Sequence, residues 1–253
     1  MLKKVDYDER QHAVYAQGRA MPEETLALWM RLYAEHLPPA RPLTIIDLGS
    51  GIGRITPALA GTFGGPAYGV EPSREMRRIA EAAGPHSGVQ YLAGEAARIP
   101  LPDDVADAVV MFLSYHHVPD RAAAAVEIRR VLRPGGRVLI RSGFSDRMSQ
   151  GSWWHRFFPR ARAIELEMFP SLAEVAEAFA PVGLKPIAHV ETPVRFWDSV
   201  AQAAERLRLR PFSTFEHLTE AEIAEGFLRL DAAVAAEVSP QPVNGTSNLL
   251  VLG

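Results

Sequence analysis

Residues 45–56 read IIDLGSGIGRIT, with glycines at 49, 51 and 53 directly after an apolar run that carries Asp47. Glycine between a strand and a helix either relieves the backbone or lets a ligand approach the main chain closely. Two more acids stand at the ends of the next two apolar runs, Glu71 in YGVEPS and Glu95 in LAGEAARIP. A carboxylate at a strand end beyond a glycine turn can accept from the two hydroxyls of a ribose. Such charge-assisted bonds contribute roughly 1.5–3 kcal/mol each. Glu95 can accept from an adenine amino group, and Met76 can lie against an adenine face. Together these residues suit one nucleoside. The alternative, a tight turn that serves only the backbone, makes Glu71 and Glu95 coincidences.

The spacing G-x-G-x-G departs from the dinucleotide fingerprint G-x-G-x-x-G, because Arg54 occupies its sixth position. A dinucleotide needs a helix N-terminus aimed at its phosphates. A ligand without phosphates needs only the close approach. A dehydrogenase is therefore the weaker rival, and NADH binding would revive it.

Candidates for proton transfer lie in Ser114-Tyr115-His116-His117. Histidine titrates near neutral pH and suits base duty. His117 reads as structural and His116 as a substrate contact or catalytic base. Neighbours on an extended chain face opposite ways, so only one of the pair is expected to face a pocket. Tyr115, Trp153, Trp154, His155 and Trp197 are candidate substrate contacts. The bland reading gives at least half of the aromatics Trp153, Trp154, Phe157, Phe158, Phe169 and Trp197 to a core of their own. The arginines of RFFPRAR (156–162), with Glu165 and Glu167, read as a solvated face. No metal ligand set is apparent.

These residues need a scaffold that brings strand ends together. Short apolar runs at 43–49, 66–72, 89–94, 106–114 and 136–144 alternate with helical patterns. That alternation predicts a parallel sheet. Runs such as DAVVMFL are apolar on both faces, as expected of strands covered by helices on both sides. Helices are predicted in TPALAGTF, in SREMRRIAEAAG from a Ser N-cap to Gly84, and from Asp120 to the stop at Pro134-Gly135-Gly136. Another is predicted in PEETLALWMRLYAEHL. Beyond 145 the pattern changes. Residues 145–170 have no clean period. A helix at 171–182, a strand near 184–194, helices near 196–209 and 219–237 and a last strand SNLLVLG follow. Asn244-Gly245-Thr246 reads as a turn before that strand.

The expected fold is α/β, a doubly wound, mostly parallel seven-stranded sheet of Rossmann-like type. Residues 1–40 form an N-terminal helical cap segment and 41–253 the binding domain, with cap insertions at about 145–170 and 196–237. Ligands of open α/β sheets bind at the carboxyl edge, where these caps would lie.

With DLGSGIG (47–53), GVEPS around Glu71, GEAARIPLPDDVADAVVMFLSYHHVPD (94–120) and LRPGGRVLI (132–140) in this order, the sequence resembles the class I S-adenosylmethionine-dependent methyltransferases, in particular the small-molecule, ubiquinone-biosynthesis-like branch. The resemblance covers about residues 42–145 well. Glu95 stands where the family more often has Asp. The resemblance implies a cofactor, S-adenosylmethionine, with S-adenosylhomocysteine as product. It implies cofactor contacts from Asp47, Gly49, Ser50, Gly51, Gly53, Glu71, Met76, Glu95, Ala96 and Ser114. Tyr15 and Arg19 of YAQGR match a family stretch that closes over the cofactor, where an Arg can hold a carboxylate. The implied reaction moves a methyl group to an O, N or C nucleophile of a small organic molecule. A protein of the same fold that binds the cofactor without methylating is the alternative. The NPPY-type tetrad of enzymes acting on polymers is absent at LSYHHV.

Composition agrees. The formal net charge of -3 argues against nucleic acid as a partner. The absence of cysteine removes disulfides, thiolate nucleophiles and cysteine-bound zinc. No apolar run approaches a bilayer span. The charged N-terminal stretch lacks the apolar centre of a signal peptide, so a cytoplasmic protein is expected. Oligomeric state has no signature.

Overall fold

The computed structural model describes residue 8 and residues 21–148 and 151–253. Seven strands form one sheet: β1 (Leu43–Leu48), β2 (Gly64–Glu71), β3 (Val89–Ala93), β4 (Ala106–Phe112), β5 (Leu132–Ser142), β6 (Pro186–Trp197) and β7 (Val243–Leu252). Their order is β3-β2-β1-β4-β5-β7-β6. Strands β3 to β5 across β1 pair in parallel, and β7 runs antiparallel to β5. The order reverses beside β1, so β1 and β4 frame the switch point of a Rossmann-like sheet. The expected fold class is the observed one.

The helices of eight or more residues among the described residues are α1 (Glu23–His36), α2 (Thr56–Phe63), α3 (Arg74–Ala82), α4 (Arg121–Val131), α5 (Pro159–Met168), α6 (Leu172–Phe179), α7 (Val200–Arg208) and α8 (Glu220–Ala235). Side chains start several of them. Ser73 accepts from the Met76 N–H at 3.1 Å, Asp120 from Ala123 at 2.9 Å and Ser199 from Gln202 at 3.0 Å. Such caps are worth about 1 kcal/mol each. No described helix is long and apolar enough to cross a membrane.

The chain divides into two compact units, and the boundary falls inside β6 and β7. A sheet unit takes Pro22–Ser142, Leu172–Val190 and Asn248–Gly253. Its core is the strand interior, where Ile45, Ile46, Val109, Val110, Leu139 and Ile140 are fully buried. Helix α1 belongs to this unit. Its Trp29 meets Phe112 edge-on with ring centroids 5.9 Å apart.

The second, aromatic unit takes Gly143–Ser171 and Glu191–Ser247 among its described residues. Trp154, Phe157, Phe158, Ile164, Leu207, Phe215, Ile223 and Leu230 form its core. Phe158 and Phe215 have centroids 5.3 Å apart, and a side chain at Gly226 of α8 would overlap the Phe158 ring.

Three expectations are corrected here. Asn244-Gly245-Thr246 lies inside β7, not in a turn before it. A side chain at Gly245 would collide with the ring of Phe196 on β6, so this glycine serves packing. Strand β6 extends to Trp197, and the helix expected from about 196 starts at Val200 behind its Ser199 cap. Glu165 is buried instead of solvated, because His155 lies against it.

Candidate functional site

Strand β1 ends at Leu48, and the chain turns through Gly49, Ser50, Gly51 and Gly53 into α2. All three glycines have positive φ, at 76°, 55° and 73°. L residues adopt that region at a cost of about 1–2 kcal/mol. Their surroundings differ. A Cβ on Gly49 would overlap the Ser114 side chain, and one on Gly53 would overlap the Tyr91 hydroxyl. Among the described residues, a Cβ on Gly51 would meet nothing within 4 Å. Gly49 and Gly53 are therefore explained by neighbours within the protein. Gly51 is not so explained by any described neighbour.

The second strand end is tied to this turn. Glu71 is 7% exposed, and its Oε2 accepts from the Gly51 N–H at 2.9 Å while Oε1 accepts from Ser73 N–H at 2.9 Å. The carbonyl of Val70 accepts from Gly49 N–H at 2.8 Å. Ser114, after β4, donates its hydroxyl to Leu48 O at 2.6 Å. The sequence candidates Gly49, Ser50, Gly51, Glu71 and Ser114 are thus brought together at the carboxyl edge of β1, β2 and β4.

Asp47 lies just beneath, 1% exposed. Its Oδ2 accepts from Thr56 Oγ1 at 2.6 Å, while Oδ1 has no hydrogen-bond partner among the described residues. Burial pushes the carboxyl up to about 7, the Thr56 hydroxyl opposes this, the Glu71 charge adds to it and Arg54 lowers it. A buried carboxylate oxygen without a donor suits a cationic or hydrogen-bonding ligand group.

Glu95 is exposed at the end of β3, where its backbone bridges to Arg98, and Ala96 is half-buried. Met76 is 2% exposed at the start of α3. Tyr15 and Arg19 lie outside the described residues.

After β4 the chain does not stay extended. Leu113 has φ 58°, and Tyr115–His117 form a 3-10 turn. The imidazoles of His116 and His117 consequently lie side by side, with centroids 4.0 Å apart. The expected alternation of the two histidines is overturned by this turn. Tyr115 is fully buried, with its ring 6.0 Å from Phe179 and below the Arg121 guanidinium.

In the aromatic unit, Trp153 and Trp197 are half-buried, with rings 5.9 Å apart. Trp154 is buried between Phe158, Phe212 and Phe215. His155 is 7% exposed with both ring nitrogens engaged. Its Nδ1 accepts from Ser152 N–H at 2.8 Å, which leaves the proton on Nε2 to donate to Glu165 at 2.8 Å. The other Glu165 oxygen accepts from Thr214 Oγ1 at 3.2 Å. Among the described residues no group of three His, Asp or Glu could hold a metal ion.

Sequence reasoning missed Thr56, Tyr91, Tyr33 and Arg141. Tyr33 of α1 is fully buried, and burial holds its hydroxyl far above the usual phenol range, near the charges of Arg141, Asp47 and Arg54. The Arg141 guanidinium stacks 4.8 Å above Phe112 and 5.2 Å from Trp29. One signal was present: Gly69 and Gly53 both lie where a tyrosine on β3 would need room.

The turn, the strand-end acid and the sheet order define a class I methyltransferase fold. Residues 46–140 match the family described as a methyltransferase domain. The chain is 41% identical over 125 residues to an uncharacterized methyltransferase of Mycobacterium bovis, covering 49% of this chain and 46% of that one. It is 32% identical over 131 residues to the ubiquinone/menaquinone biosynthesis C-methyltransferase UbiE of Rubrivivax gelatinosus, covering 52% and 49%. The chain spans about half the length of these curated relatives. In fold it resembles a protein described as a methyltransferase of an antibiotic biosynthesis pathway from Anabaena variabilis, with a TM-score of 0.75 and 20% identity over 90% of this chain and 97% of that one.

Proposed function

We propose that this protein transfers a methyl group from S-adenosylmethionine to an O, N or C nucleophile of a small organic molecule, in the cytosol. The observation that carries the reading is the pairing of Gly51, whose Cβ position meets no described neighbour within 4 Å, with the Glu71 carboxylate that holds it. The two backbone bonds hold the Glu71 carboxylate at the turn. A carboxylate at a strand end beyond a glycine turn is chemically suited to accept from ribose hydroxyls. The cofactor supplies an electrophilic methyl group on a sulfonium, which leaves as S-adenosylhomocysteine when the acceptor's electron pair takes the carbon. The task of the chain is then alignment, which supplies much of the acceleration in such reactions. Glu71, Gly51, Ser50 and Ser114 fix one partner at the strand ends, with Asp47 beneath them. An oxygen or nitrogen acceptor also loses a proton, and His116, two residues beyond Ser114, is our candidate to take it.

The test is incubation with methyl-labelled cofactor and a panel of phenolic, quinol, amine and carboxylic acceptors. Transfer of label with formation of S-adenosylhomocysteine supports the reading. Tight cofactor binding without label transfer to any acceptor favours the alternative, a cofactor-binding protein that does not methylate.

A further inference from the structure

Among the described residues, three other than glycine have positive φ: Asp104 at 50°, Leu113 at 58° and Arg210 at 49°. L residues avoid this region because Cβ crowds the following carbonyl. Two of the three have an ordinary reason to enter it. Asp is one of the few types that does so readily, through local hydrogen bonds of its side chain. Arg210 follows the end of α7, and its N–H donates to Leu207 O at 2.8 Å, a common left-handed close of a helix. Leu113 has neither reason. Its side chain carries no hydrogen-bonding group, and it follows a strand.

Strand β4 pairs with β5 up to Phe112 opposite Arg141, and the Leu113 N–H still donates to Arg141 O at 2.8 Å. The ladder thus fixes the point at which the chain bends. Leu113 is left-handed, Ser114 follows with φ -117° and ψ -26°, and Tyr115–His117 form the 3-10 turn. Two features of the candidate site depend on this bend. Ser114 is turned under the glycine loop, where its hydroxyl donates to Leu48 O at 2.6 Å and its Cβ fills the space beside Gly49. Its carbonyl accepts from His117 N–H at 3.0 Å, which closes the turn that sets the two imidazoles 4.0 Å apart. An extended Leu113 would instead carry Ser114 onward along the strand, at about 3.3 Å per residue, and away from Leu48. Backbone strain persists only where its surroundings over-determine it, and it collects at functional sites. Here the ladder bond precedes the strained residue and the Ser114–Leu48 bond follows it.

We propose that Leu113 is a positioning residue, whose left-handed backbone seats Ser114 beneath the glycine turn and aligns His116 with His117 beside it. The inference rests on the cofactor reading above. One residue at the end of β4, on the edge of the switch point framed by β1 and β4, then sets the geometry of both the turn and the histidine pair. What position 113 requires is a backbone conformation. A side chain branched at Cβ is all but excluded from it, whereas leucine, branched at Cγ, can be held there.

The test sets two near-isosteres against each other. Leu113→Ile keeps every side-chain carbon and moves the branch to Cβ, where the left-handed region is closed to it. Leu113→Asn loses the apolar character, keeps the branch at Cγ and enters that region readily. Apolar packing alone ranks Ile above Asn, because Leu and Ile exchange at nearly constant volume. Backbone positioning ranks Asn above Ile. The readouts are calorimetric titration with S-adenosylmethionine at pH 7.5, thermal melts to verify folding, and the imidazole proton resonances of His116 and His117, assigned by single replacements. Leu113→Ile is expected to weaken cofactor affinity by about tenfold or more and to shift the resonances of both histidines. Leu113→Asn should stay within about threefold of wild-type affinity and leave both resonances in place. A folded Leu113→Ile protein that matches the wild type, or a folded Leu113→Asn protein that does not, overturns the inference and leaves the cofactor reading intact. If Leu113→Ile does not fold, Leu113→Asn decides by the same two readouts. Absence of binding by the folded wild type overturns the cofactor reading itself, and this inference with it.

Discussion

The backbone N–H of Gly51 donates to Oε2 of Glu71 at 2.9 Å, across the gap between the first glycine turn and the end of the second strand. The same carboxylate receives Ser73 N–H at the start of α3. Glu71 thus joins the turn to a helix N-terminus before any ligand is considered. Its replacement should act twice, by loosening the turn and by removing the proposed ribose acceptor. Glu71→Ala is expected to weaken cofactor binding by about 10- to 100-fold, from the loss of roughly 1.5–3 kcal/mol. Isothermal calorimetry measures this directly, and unchanged affinity would remove Glu71 from the site.

The three glycines should separate by phenotype. Gly49→Ala and Gly53→Ala force side chains into Ser114 and Tyr91, at a cost of about 1–3 kcal/mol beyond the left-handed backbone. Both should lower the melting temperature. Gly51→Ala meets no described neighbour within 4 Å of its Cβ and should carry only the backbone cost of about 1 kcal/mol. Gly51→Val should therefore leave a folded protein with poor cofactor affinity. Melts and titrations run in parallel would expose an error if Gly51→Val bound cofactor normally.

Asp47 makes the ligand-free protein sensitive to pH. Its folded value, about 7, lies above its ordinary value of 3.8, so between these limits the folded state holds a proton that the unfolded state has lost. Stability contributed by this group is full below about pH 4 and falls as pH rises toward 7, with a slope of up to about 1.4 kcal/mol per unit. Asp47→Asn should flatten the fall between pH 5 and 7. Urea denaturation at pH 5, 6 and 7 tests it, and parallel curves for the two proteins would be the contrary result.

His116→Ala should lower turnover by about 100-fold or more if a general base is used. Cofactor affinity should change little, since the candidate cofactor residues end at Ser114. Steady-state kinetics with an acceptor found in the panel decides this. Equal turnover would take His116 out of the mechanism.

In the aromatic unit, His155→Ala leaves Glu165 buried with its charge opposed only by the Thr214 hydroxyl. Removing the neutral imidazole donor from a buried carboxylate costs about 1.5–3 kcal/mol. Chemical denaturation should register that loss, whereas a change below about 0.5 kcal/mol would mean that the pair is solvated.

The sheet was legible because its strands are apolar runs bounded by Gly, Pro and acids, and their predicted limits fall within a few residues of those observed. The strand-end residues followed from that. Helix α5 was hidden for a physical reason. Its buried stripe is Ala161, Ile164 and Glu165, which has helical spacing but contains a small residue and an acid. Only the fold brings Glu165 to His155, so no local pattern announces its burial. The place of Tyr91 was hidden in the same way, since it resembles any aromatic strand residue until Gly53 and Gly69 are seen to yield it space. The pairing of His116 with His117 depended on the left-handed Leu113, a conformation that β-strand alternation does not anticipate.

The most direct measurement is calorimetric titration of the purified protein with S-adenosylmethionine at pH 7.5, with NADH as the comparison. Saturable binding of S-adenosylmethionine and none of NADH is the result this account requires. A folded protein that fails to bind S-adenosylmethionine, or that binds NADH instead, would contradict it and reduce the turn at Gly51 to a feature of the backbone alone.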